Sequence, residues 1–166
     1  MPLTLLAWSL TVAALIHIFE EFVFPGGFKE WWTAYRPDIR ASVTDRYLVI
    51  INMVLVLFSA NVALAVRSPR GNGVAAWLAL AALLAENAVF HIVGAIQTRR
   101  YSPGMISGIL LYIPLAIYGY IFFLRSGRAS GTVALIAAAV GSSYYFISLA
   151  NHKRRAAFER KKKNEV

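Results

Sequence analysis

The chain has no cysteine, and that absence removes disulfides, thiolate metal ligands and cysteine nucleophiles together. Acidic residues are scarce: eight Asp and Glu stand against 17 Lys and Arg, and charged residues make up only 15% of the 166 positions. With 58% hydrophobic residues and a mean hydropathy of +0.58, the chain is too apolar for an ordinary soluble domain, whose apolar share is about 45–50%. Period-two alternation is missing too, which excludes a membrane β-barrel. The net charge of +9 does not point to nucleic acid. Its basic residues lie between and after apolar runs instead of clustering on one folded polar face, an arrangement that suits anionic lipid headgroups.

What the chain does have is five long apolar runs. They predict helices over about 3–24, 47–66, 74–97, 105–124 and 132–150, each near the roughly 20 residues needed to span hydrocarbon. Lipid offers the backbone no hydrogen-bond partners, so these runs must be helical. The expected fold is all-α, an integral membrane up-and-down bundle of five transmembrane helices forming one domain over 1–152, with a basic cytoplasmic tail over 153–166. Short turns marked by Pro, Gly and Ser connect helices two to five: Ser68 to Gly73, Ser102-Pro103-Gly104, and Ser126 to Gly131. The first run lacks a basic leader and a small-residue cleavage site, and it contains His17, Glu20 and Glu21, so it is expected to remain as a spanning helix.

The Phe24–Tyr47 loop, the Arg99-Arg100 turn and the chain end together carry 13 of the 17 Lys and Arg. The positive-inside rule then places the N-terminus outside and the C-terminus in the cytoplasm of a multi-pass protein of the cell membrane. In the first cytoplasmic loop Phe28, Trp31, Trp32 and Tyr35 alternate with charged residues, which predicts a segment lying at headgroup level. His152 reads as part of the solvated basic cap, and Pro114 as a kink in the fourth helix that opens a cavity beside Tyr112.

Inside the apolar runs stand a few ionisable residues. His17 precedes Glu20 and Glu21 by three and four positions, so all three share one broad helix face. Asn87 and His91 are four apart on one stripe of the third helix, whereas Glu86 is rotated from His91 by about 140° and reaches the same partner only if the helix is locally rewound. Counted from the cytoplasmic ends, His17, His91 and Asn52 lie at one depth, with Tyr144, Tyr145 and Ser148 of the last helix in the same half. Carboxylates in hydrocarbon cost at least a few kcal/mol each unless compensated by a cation, a shared proton or hydrogen bonds. The plain alternative is that Glu20 and Glu21 snorkel to the interface and pair with Lys29 or Arg46.

Imidazole with carboxylate is a ligand set for iron, manganese or zinc, and its oxygen-rich balance leans toward iron or manganese over a structural zinc site. His17, Glu21 and His91 are the primary metal candidates, with Glu20 and Glu86 completing the shell. Glu20 and Glu86 are also candidate proton shuttles, and Asn52 and Asn87 candidate orienting groups.

His17-Ile18-Phe19-Glu20-Glu21, followed by Asn87-x-x-x-His91 and Tyr101-Ser102-Pro103-Gly104, resembles the HXXEE membrane protein family over about residues 10–125. The resemblance implies membrane location and a shared motif, and it brings no substrate with it. The first functional expectation is therefore a metal-dependent membrane enzyme, a hydrolase or oxidoreductase, acting on a lipid-like or isoprenoid substrate. A metal-free acid/base isomerase or cyclase of an apolar substrate is the second, and a non-enzymatic ion or proton carrier or membrane scaffold the third. The partners expected are the lipid bilayer, an apolar small molecule and no nucleic acid. Gly104-x-x-x-Gly108 suits close helix packing, within the chain or in a homodimer.

Overall fold

In the computed structural model the described residues, 1–67 and 73–164, form an all-α bundle without strands. The turn expected at Ser68 to Asn72 and the last two residues of the tail lie outside the described residues, as do the side chains of residues 162–164. Five helices are long and apolar enough to cross a membrane. They are α1 (Leu3–Phe22), α3 (Asp45–Arg67), α4 (Gly73–Thr98), α5 (Met105–Arg125) and α6 (Gly131–Asn164). Between α1 and α3 lie a short helix α2 (Phe28–Tyr35) and a 3₁₀ segment, Pro37–Ser42.

The chain buries only a narrow seam and leaves broad apolar faces outward. Leu5, Val12 and Leu15 of α1, Val54, Leu57 and Phe58 of α3, and Leu135, Ile136 and Val140 of α6 are all exposed. In water such surface would be costly; against acyl chains it costs nothing. Helix α4 is the hub, packed against α6, α3 and α5. Trp77 is fully buried in its N-terminal half, donates from Nε1 to the Leu6 carbonyl at 3.2 Å, and fills the space that Gly119 of α5 leaves open. Gly141 likewise lets α6 lie directly on α4: a Cβ there would meet the Ala79 carbonyl oxygen at 2.2 Å.

At Pro114 the helix changes its hydrogen-bond pattern. Proline has no N–H to donate, so the carbonyl four residues earlier loses its helical partner. The helix widens into a π segment over Gly108–Tyr112, and the Ile113 N–H bonds the Gly108 carbonyl. Tyr112 is fully buried at the end of this segment.

The aromatic loop folds as α2, in which Phe28, Trp31, Trp32 and Tyr35 fall at i, i+3, i+4 and i+7, and Phe28 and Trp31 are buried. Gly94 of α4 makes room for Trp31, whose ring would lie 2.6 Å from a Cβ at that position. His152 is not part of a solvated cap. Helix α6 continues without a break to Asn164, His152 and Ala156 are buried, and Arg160 donates to the Asp38 carbonyl at 2.7 Å. The 3₁₀ segment packs on this extension and covers it.

Replacing Gly141 by Ala forces α4 and α6 apart at a cost of about 1–3 kcal/mol. Thermal unfolding in detergent should show a midpoint lowered by several degrees, while Gly131→Ala, where nothing lies within 4 Å of the added methyl, leaves it unchanged.

Candidate metal centre

Near the C-terminal end of α1, His17, Glu20 and Glu21 turn inward and are 2%, 8% and 5% exposed. Neither acid snorkels to the surface, and Lys29 pairs with Asp45 at 2.7 Å instead. The two acids then diverge. Glu21 Oε1 lies 3.4 Å from His17 Nε2 and 3.3 Å from His91 Nε2, and the three potential ligand atoms all fall within 4.8 Å of one another. The imidazoles meet edge-on with ring centres 5.1 Å apart.

Glu20 points the other way, into the turn that starts α5. Its Oε1 accepts from the Tyr101 hydroxyl and from the Gly104 and Ile106 N–H groups, each amide at 3.0 Å, and its Oε2 accepts from the Ser107 N–H at 2.7 Å. The first amides of a helix have no intrahelical acceptor and carry partial positive charge, so a carboxylate from another helix makes a fitting cap. Burial, and then the adjacent Glu20 carboxylate, push the Tyr101 phenol up from its ordinary pKa, which keeps it protonated as a donor.

That turn also sets the imidazoles. The Ser107 hydroxyl donates to the Gly104 carbonyl at 3.3 Å, so it accepts from His17 Nδ1–H at 2.9 Å. The His17 Nε2 lone pair is thereby directed at Glu21, with Asn87 Nδ2 donating to it at 3.0 Å. His91 Nδ1 is 2.8 Å from the Ser102 hydroxyl, and its Nε2, fully buried, makes no aligned hydrogen bond. Gly104 sits between the two rings. A Cβ there would meet His17 Cε1 at 2.7 Å and His91 Cε1 at 2.8 Å, and its φ of +99° also favours glycine. Gly108 packs against Ala88 of α4, so both glycines of the GxxxG spacing serve contacts within the chain.

Helix α2 covers one side of the cluster. Trp31 stacks on His91 with ring centres 5.9 Å apart and Phe28 approaches the same ring at 5.4 Å. On the lower side Tyr112 lies 4.6 Å from His17, its hydroxyl buried without a partner.

Beside the cluster a cavity of about 280 Å³ runs between α3, α4 and α6. His17 and Glu21 form one wall, and Asn52, Glu86 and Asn87 face it with the side chains of Leu80, Leu84, Val54, Leu55 and Phe58. Helix α4 is regular through this stretch. Glu86 stands where its phase puts it, outside the three-atom cluster, with Oε2 buried and unpartnered at the cavity wall. Asn52 lines the same cavity and donates to the Leu48 carbonyl at 3.0 Å.

Of the residues singled out from the sequence, His17, Glu21, His91 and Asn87 are thus brought together, Asn52 and Glu86 border the adjoining cavity, and Glu20 holds the Tyr101–Ser107 turn. Three contributors escaped the sequence reading. Ser102 stood in the expected turn without a role of its own, and nothing in the sequence marked Ser107. His152 was hidden among basic neighbours.

The model for proteins of unknown function with an HXXEE motif matches residues 8–119, a stretch that begins before His17 and ends after the turn and the π segment. The chain belongs to the HXXEE family. Comparisons with curated proteins and with solved structures gave no match. In this HXXEE protein the His and the second Glu of the motif form the cluster, and the first Glu builds the turn that orients it.

Tyr101→Phe removes a hydrogen bond to a charged acceptor, worth about 1.5–3 kcal/mol. The thermal midpoint should fall by several degrees, and Gly104→Ala should lower it at least as far by displacing both rings.

Proposed function

We propose that this protein is a metal-dependent membrane enzyme, with a divalent transition metal held by His17, Glu21 and His91 and a lipid-like substrate drawn into the adjoining cavity. The observation that carries this reading is the convergence of two buried imidazole Nε2 atoms on one carboxylate oxygen at 3.3 and 3.4 Å. For bonds of about 2.0–2.2 Å, ligand atoms at the corners of a tetrahedron stand roughly 3.3–3.6 Å apart. Both Nδ1 atoms being hydrogen-bonded to serine hydroxyls is the outer support that metal-bound histidines ordinarily have.

Two His and one Glu leave coordination positions open, the pattern of catalytic zinc sites and of non-haem iron centres. When bound, the ion supplies Lewis acidity toward a carbonyl or phosphoryl oxygen. The chain's own residues do the rest. Glu86, unpartnered at the cavity wall, accepts a proton from the attacking water. Asn87 and Asn52 orient polar groups, and Phe28, Trp31 and Tyr112 keep bulk water off the cluster. Hydrolysis is favoured over oxidation by Glu86, a free carboxylate available as base on the cavity side. Lys and Arg asymmetry puts the centre in the cytoplasmic half of the bilayer, with the N-terminus outside.

Elemental analysis of the detergent-purified protein tests the assignment. It should contain near-stoichiometric iron, manganese or zinc. His17→Ala, His91→Ala and Glu21→Gln should each lose it, whereas Ser102→Ala and Ser107→Ala should weaken retention about 10–100-fold. Metal-free wild-type protein after metal-supplemented expression, or undiminished metal in all three ligand variants, overturns the reading.

A further inference from the structure

The cavity has a second polar station, at its cytoplasmic end on α6. His152 is fully buried and lines the cavity. Its Nδ1 lies 2.7 Å from the Ser42 hydroxyl, and that hydroxyl donates to the Ile39 carbonyl at 2.7 Å. Ser42 has one hydrogen to give and has given it, so it accepts from His152 Nδ1–H, and the lone pair of the ring is fixed on Nε2. That Nε2 has no partner. Trp32 and Tyr47 flank the ring edge-on, with centres 5.0 and 4.7 Å away. A buried acceptor without a donor is unfavourable and calls for a partner with a hydrogen to offer.

A second buried polar atom without a partner at the cavity wall, Glu86 Oε2, is likewise an acceptor when ionised. The one cation among the lining residues, Arg36, is already engaged by both carboxylate oxygens of Asp38, at 2.9 and 2.8 Å. Apolar side chains make up most of the remaining wall. Donors are therefore wanted, anions are poorly served, and a long apolar chain is accommodated.

From this we infer that the cavity binds a neutral long-chain lipid bearing a hydroxyl group, and that His152 Nε2 is the acceptor that positions the hydroxyl. At about 280 Å³ the space is at the lower end for ligand pockets and fits one chain with a small head, not a two-chain phospholipid. The inference rests on the reading of the cavity as a substrate chamber and is independent of the metal.

Native mass spectrometry of the full chain in detergent, titrated with hexadecan-1-ol, its methyl ether, hexadecylamine and hexadecanoic acid, reads the preference directly. The alcohol should bind about ten-fold tighter than the ether, the difference expected for one hydrogen bond to a buried acceptor, and tighter than the acid. In His152→Leu the alcohol should fall to the level of the ether while ether binding and metal content stay unchanged. Ser42→Ala, which frees the ring to carry its hydrogen on Nε2, should shrink the alcohol-to-ether ratio without removing the histidine. Equal binding of alcohol and ether, an undiminished ratio in His152→Leu, or tighter binding of the acid or the amine overturns the inference. Unchanged metal in His152→Leu keeps that failure separate from any failure of the metal assignment.

Discussion

The carboxylate of Glu20 is the hinge pin of this molecule. Four donors from residues 101–107 converge on it, and through them the start of α5 is held against the end of α1. Everything nearer the chemistry follows from that join. Ser107 is placed to receive His17, Ser102 to receive His91, and Gly104 to sit where any side chain would collide with both rings. A carboxylate so deep in the bundle is tolerated because its desolvation is offset by charge-assisted hydrogen bonds and the positive end of a helix.

Glu21, one residue on, meets the same problem with a different solution. No backbone amide reaches it. Its close neighbours are the Nε2 atoms of two imidazoles, each ring held at its Nδ1 by a serine hydroxyl. Adjacent acids in one motif therefore have separate tasks, one structural and one facing the cavity, and the 100° turn between successive helical residues is what separates them.

The five spans and the inward turn of the motif were legible because period, length and charge scarcity report directly on hydrocarbon. The depth argument matched His17 to His91, and helical phase alone indicated that Glu86 could not join them in a regular helix. Other features depended on contacts distant in sequence. The i, i+3, i+4, i+7 stripe of α2 was visible in principle, yet its aromatic residues equally suit a headgroup belt, and only Gly94 across the bundle decides for burial. His152 was obscured by composition: the basic residues after it suggested solvent, whereas Ser42 and Ala156 show that the helix keeps one dry face through the charged stretch. The serines had no periodic signal at all, since their role lies in a turn packed on two other helices.

The stacking of α2 on His91 has a consequence for traffic. Aromatic rings of α2 cover the cluster on one side, while the cavity next to it is walled in part by Val54 and Phe58, side chains that are half exposed on the outward face of α3. The cluster is thus covered by rings on one side and borders the lipid-facing surface of α3 on the other. Under the proposed function a substrate would enter sideways through that face, leaving its hydration behind before it reached the site.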